Sequence, residues 1–205
     1  MNFKLGKMFA VGMSSLALSS VTTAQIDEII VTANKKEQTL QDIPMSVTVT
    51  SAEQIEQSAI VDLLDLQSAV PSLRMTQLQK TTETNFIIRG FGNGANNPGI
   101  EGSVGVYIDG VYRSRSASAM ADLPTIERVE VLAGPQTTLF GKNASAGVIS
   151  ITTKLPEQEF GGSIEATVGT YGSSIMKGTV TGGITDTTSF RISASSNKND
   201  GYSTN

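Results

Sequence analysis

The chain has 205 residues, 39% of them apolar, a formal net charge of −4, and neither cysteine nor histidine. That length accommodates one ordinary domain with room for a second, partial unit. The two missing residue types remove disulfides, thiolate nucleophiles, the usual zinc ligands and the commonest general base, and the acidic balance disfavours a nucleic-acid partner.

Lys4 and Lys7 precede an apolar run, Met8 to Leu18, which gives way to small or neutral residues ending at Ala24. This pattern predicts a secretory signal over 1–24, far short of the roughly 20 apolar residues of a membrane-spanning helix. Next comes Asp27-Glu28-Ile29-Ile30-Val31-Thr32-Ala33, an acidic pair leading into β-branched residues, followed by a polar stretch. Residues 25–40 are therefore expected to hold a short strand on a flexible linker. With nothing adjacent to pair with, such a strand can add itself to the sheet edge of another protein. The alternative is an edge strand of its own domain.

Residues 41–156 mix strand and helix signals. Met45 to Thr50 alternates as a strand, and Ser51 with Gln54 forms a capping box opening a helix over 52–57. Ile60, Leu63, Leu64 and Leu66 to Val70 give a second helical face stopped by Pro71, and strands are expected at 73–78 and 85–89. A Gly-rich loop runs from 90 to 103. Val104 to Ile108 and Val111 to Arg113 flank Asp109-Gly110, a strong hairpin signal because a type I′ turn needs positive φ at both central residues. Asp122-Leu123-Pro124 predicts a helical turn, 126–132 a strand, 134–140 a turn or short helix, and 147–153 a strand. The expectation is an α+β domain, a mixed sheet with short helices.

After Pro156 the texture changes. Residues 163–171, 175–184 and 188–196 alternate apolar and polar without helical periodicity between them. Strands of about ten residues with apolar-out, polar-in alternation match transmembrane β-strands better than the shorter strands of soluble sandwiches. Residues 157–205 are expected to start a transmembrane antiparallel β-barrel that the chain leaves incomplete.

Taken in order, several segments resemble TonB-dependent outer-membrane receptors. Asp27, Glu28, Ile29, Ile30, Val31, Thr32 and Ala33 resemble the TonB box. Phe86 to Phe91, Val106 to Val111, Ile126 to Val131 and Gly134 to Gly141 resemble successive plug motifs, and Gly147 to Lys154 the last plug strand. Ser150 and Ala146 depart from the residues frequent in relatives, Asn and Gly. The resemblance implies a plug filling a barrel of about 22 strands in a Gram-negative outer membrane, which this length cannot supply, so the chain reads as an amino-terminal fragment. It also implies energy-coupled uptake of a scarce ligand, an iron chelate such as a ferric siderophore by default. Implied partners are the periplasmic domain of TonB, ExbB and ExbD in the inner membrane, and outer-membrane lipid. The box residues would bind TonB, Arg89 and Arg128 would pair with acidic groups of the barrel wall beyond residue 205, and Asn93, Asn96, Arg113 and Arg115 are candidate ligand contacts on loops 91–103 and 113–119. No catalytic residue, cofactor or metal is implied. The rival reading is a non-transporting secreted plug remnant or β-rich binding module.

Two nucleotide-binding patterns fail on context. Gly90-Phe91-Gly92-Asn93-Gly94-Ala95 is followed by Asn96-Asn97-Pro98-Gly99, which cannot open a phosphate-binding helix, and Asp109 is taken by the hairpin. Gly134 to Lys142 has the wrong glycine spacing for a phosphate loop, and Asn143 stands where Ser or Thr is required. A signalling receptor would need a folded domain ahead of the box, where only a few residues follow Ala24.

Overall fold

A computed structural model describes residues 30–31, 38–58, 60, 63–77, 84–92, 99–115, 125–198 and 200. The expected signal segment, the turn at Asp122 to Pro124, and Asn93 and Asn96 lie outside the described residues. Ile30–Val31 (β1) pairs antiparallel with Gln38–Thr39 (β2). The strand expected to lack a neighbour thus has one, supplied by the polar stretch that followed it.

The central sheet combines Ser46–Ser51 (β3), Val104–Ile108 (β6), Val111–Arg113 (β7), Ile126–Ala133 (β8) and Gly147–Thr153 (β9), in the order β3-β8-β9-β6-β7. β6 and β9 run parallel and the other neighbours antiparallel. Leu73–Gln77 (β4) and Thr84–Ile88 (β5) make a separate antiparallel pair.

Helices are short. Ala52–Gln57 (α1) opens on a capping box: the Gln54 amide donates to Ser51 Oγ at 3.4 Å, and the Ser51 amide donates to Gln54 Oε1 at 3.1 Å. The second helical face narrows to Leu66–Ala69 (α2), preceded by a turn at 63–65. The third helix is the single turn Thr137–Phe140 (α3).

Because side chains alternate across a strand, the central sheet buries two faces. On one, Val106, Val129, Val131, Ile149 and Ile151 meet Ile55, Leu66, Val70, Leu73, Phe86 and Ile88 from α1, α2 with its C-cap, and the β4–β5 pair. On the other, Tyr107, Leu132 and Val148 cluster with Val31, Ile43 and Ala144. Each such Leu, Ile or Phe contributes roughly 1.5–3 kcal/mol relative to exposure.

Gly161–Val168 (β10), Ser174–Thr185 (β11) and Thr188–Lys198 (β12) form a three-stranded antiparallel sheet. β11 and β12 span 12 and 11 residues, the length expected of barrel strands. Ile164, Val168, Met176, Val180, Ile184 and Ile192 are exposed together, an apolar face alternating with a polar one. The sheet is open, with β10 and β12 as its edges.

Candidate functional site

Three loops meet at one end of the central sheet, where β6 begins and β8 ends. The Ala146 amide donates to the Ser103 carbonyl at 2.9 Å, bringing the segment after α3 beside the entry to β6. Lys142 Nζ lies 2.7 Å from Glu101 Oε2. Asn143 Nδ2 donates to the Tyr112 hydroxyl of β7. Residues 99–103, 112–115 and 141–146 therefore form one continuous surface.

Aromatic rings support it from below. Tyr107 is buried, its hydroxyl donates to the Phe140 carbonyl, and its ring stands 5.0 Å from Phe140 edge-on and 5.4 Å from Tyr112. Burial raises the Tyr107 phenol above its ordinary pKa. At the surface, the hydrogen bond and charge of Lys142 lower Glu101, and Glu101 raises Lys142 in return. Arg113 ends β7 and Arg115 follows in the next bend, both exposed on this surface.

Arg89 sits at a tight turn of its own. The Ile88 amide donates to the Phe91 carbonyl and the Phe91 amide to the Ile88 carbonyl, both at 2.9 Å, while Arg89 and Gly90 take φ of +52° and +82°. These are the dihedral signs of a type I′ turn, and they put the exposed guanidinium at its tip. Gly92 is fixed by space, since a Cβ there would lie 2.6 Å from the Phe86 carbonyl oxygen. Sequence reasoning ended the strand at Arg89 and missed the turn, because arginine seldom adopts positive φ.

Arg128 has partners nearer than the expected ones. Its Nε donates to Glu130 Oε1 at 2.8 Å and its Nη1 to Glu127 Oε1 at 2.6 Å. Glu130, two residues along, shares its face of β8, and the register shift between Ile126 and Arg128 inserts Glu127 as an extra residue that swings toward the guanidinium. Glu130 is fully buried, so the ion pair neutralises a carboxylate inside the domain.

Of the seven box residues, Ile30 and Val31 fall among the described ones. Val31 is buried without residual exposure in the cluster of Tyr107, Leu132 and Val148. Among the described residues, no group of three or more His, Cys, Asp or Glu side chains is placed to hold a metal ion.

The profile of the TonB-dependent Receptor Plug Domain matches residues 39–148. The vitamin B12 transporter BtuB of Vibrio vulnificus is 32% identical over 164 residues, covering 75% of this chain and 26% of the relative. The pesticin receptor of Yersinia pestis is 28% identical over 191 residues, covering 89% and 28%. Among solved structures, the ferric yersiniabactin uptake receptor FyuA from Yersinia pestis superposes with a TM-score of 0.68 at 28% identity, over 74% of this chain and 24% of that one. The chain spans about a quarter of the length of the curated relatives it matches.

Proposed function

Because the chain belongs to the TonB-dependent receptor family, whose plug domain it carries, and its place is the outer membrane of a Gram-negative bacterium, we propose that it forms the energy-coupling front of a receptor that imports a scarce small molecule. The cargo class is an iron chelate of the ferric siderophore kind. Relatives named for vitamin B12, pesticin and ferrioxamine B mark the range the plug architecture serves. Transport, rather than catalysis, is the work of such a domain.

Residues 27–33 are the segment offered to the periplasmic domain of TonB, itself energised by ExbB and ExbD. Pairing would add the box as a strand to TonB, with main-chain hydrogen bonds supplying affinity. Arg113 and Arg115, with Asn93 and Asn96, would meet an anionic chelate at the external mouth. Arg89, fixed at its turn tip, would pair with acidic groups of the barrel wall. Arg128 would do so through the donors that Glu127 and Glu130 leave unengaged on its five-donor guanidinium. Residues 1–24 would be removed on export, leaving a box and linker to residue 40, the plug to 156 and barrel strands from 157.

The observation that carries the reading is the segment Ile30–Val31 held as a strand two residues long, a unit small enough to be exchanged for a longer pairing elsewhere. A peptide covering 27–34 should bind the TonB periplasmic domain, and Ile30→Pro should abolish binding by removing a ladder donor. Undiminished binding by the proline peptide would reject the coupling mechanism.

A further inference from the structure

Between β9 and β10 the chain crosses the polar face of the three-stranded sheet, and it is bonded there at Leu155, Glu157 and Gln158. Arg191 of β12, in register with Thr181 of β11 and only 11% exposed at its side chain, holds the crossing from one side. Its Nε donates to the Leu155 carbonyl at 3.0 Å and its Nη2 to Glu157 Oε1 at 2.7 Å. The Thr181 hydroxyl links two strands to the same segment: it accepts from the Glu157 amide and donates to the Phe190 carbonyl, both at 2.9 Å. One residue on, the Gly183 amide donates to the Gln158 carbonyl at 3.0 Å.

A second line of contact reaches the central sheet itself. Thr125, at the entry to β8, has its hydroxyl 3.2 Å from that of Ser193, which lies 3.1 Å from the hydroxyl of Thr179. Thr125 also accepts the Lys154 amide through its carbonyl at 3.1 Å. Two glycines make room: a Cβ at Gly183 would strike the Gln158 side chain, and one at Gly182 would press on the Phe160 ring at 3.1 Å.

We infer that residues 154–160 are a clasped strap, not a free tether, and that Arg191 is the positioning residue that fixes it, joining the Thr125 end of the central sheet to the first barrel strands as one rigid unit. A carbonyl, a carboxylate and a planar guanidinium make a forked contact that an ammonium cannot reproduce, because lysine offers a single nitrogen. The consequence is mechanical. Motion of the sheet relative to these strands must either break this seam or take place in elements remote from it, such as the box hairpin, which packs at the Leu132 and Val148 end of the sheet.

The chain has no cysteine, so a single introduced one reports without background from these residues. A nitroxide at Glu159→Cys in the natural gene product, in outer-membrane preparations, should give an immobilised electron paramagnetic resonance spectrum. Arg191→Ala should shift it to the mobile component, and Arg191→Lys should fall between. A nitroxide at Val111→Cys, on β7, should be unchanged by either substitution, which separates loss of the clasp from general loosening. Where Arg191→Ala does not accumulate, Arg191→Lys and Glu157→Gln are read in its place, each expected to shift the spectrum at 159 alone. A mobile spectrum in the unsubstituted protein, an unchanged one across the Arg191 variants, or equal mobilisation at 111 would each overturn the inference.

Discussion

Asp109 accepts two hydrogen bonds from Thr153 across 44 residues of sequence: the Thr153 amide donates to one carboxylate oxygen and the Thr153 hydroxyl to the other, each at 2.9 Å. The same aspartate holds φ of +49° at the tip of the β6–β7 turn, and its amide donates to the Ile151 carbonyl. One side chain thus shapes a turn and ends the parallel β6–β9 ladder. Asp109→Ala should lose both, at about 1–3 kcal/mol. Asp109→Asn, which tolerates the left-handed region and keeps one oxygen acceptor, should lose less. Urea midpoints for the pair should rank in that order, and equal midpoints would remove the capping role.

The Arg128–Glu130 pair predicts an asymmetry. Removing the arginine takes the paired cation from a fully buried carboxylate, whereas removing both charges leaves no such carboxylate behind. Arg128→Ala should be destabilising, and Arg128→Met with Glu130→Met should recover most of the loss. Hydrogen exchange at β8 and β9 amides would register the difference, and a double variant as labile as the single one would contradict it.

Lys142 and Glu101 give a prediction in pH. The folded Glu101 pKa lies below 4.5, so its contribution is complete above 4.5 and is lost as pH falls through the lowered value. The folded Lys142 pKa lies above 10.5, so its contribution is complete below 10.5 and is lost as pH rises through the raised value. Between those limits the clamp of the 99–103 loop on the 141–146 segment should be independent of pH. Both groups are exposed, so added salt should weaken it. A carboxyl NMR titration should place Glu101 below 4.5, and Lys142→Ala should return it toward that value.

Much of this architecture could be read in advance where one residue carries a local rule. Ser51 and Gln54 announced a capping box that the structure contains, and Asp109-Gly110 announced a turn whose φ values are both positive. The same backbone recurs at Arg89–Gly90 and Tyr171–Gly172, and neither was legible, because arginine and tyrosine carry no preference for positive φ. Contacts that depend on distant pairing were hidden for another reason. Nothing in the polar stretch after the box marks Gln38–Thr39 as a partner for Ile30–Val31, and nothing near Leu155 points to Arg191. The helical face before Pro71 spread over more residues than α2 uses, since periodicity records which side chains are buried, not how many backbone turns close.

Val31 has no exposed surface and packs in the cluster of Tyr107, Leu132 and Val148, so a partner can take this strand only after that burial is undone. The cost of release then subtracts from the affinity measured on the natural gene product but not from that of an isolated peptide, which has nothing to release. Val31→Ser removes apolar burial at roughly 1–2 kcal/mol while leaving the ladder amide in place. In the natural gene product it should therefore strengthen binding of the TonB periplasmic domain by about tenfold. In a 27–34 peptide the same change should leave binding unchanged or weaken it. Calorimetry on both forms separates the cases: a gain confined to the natural product means that burial of Val31 restrains the box, and parallel losses in both would mean that the valine serves TonB directly and the buried state restrains nothing.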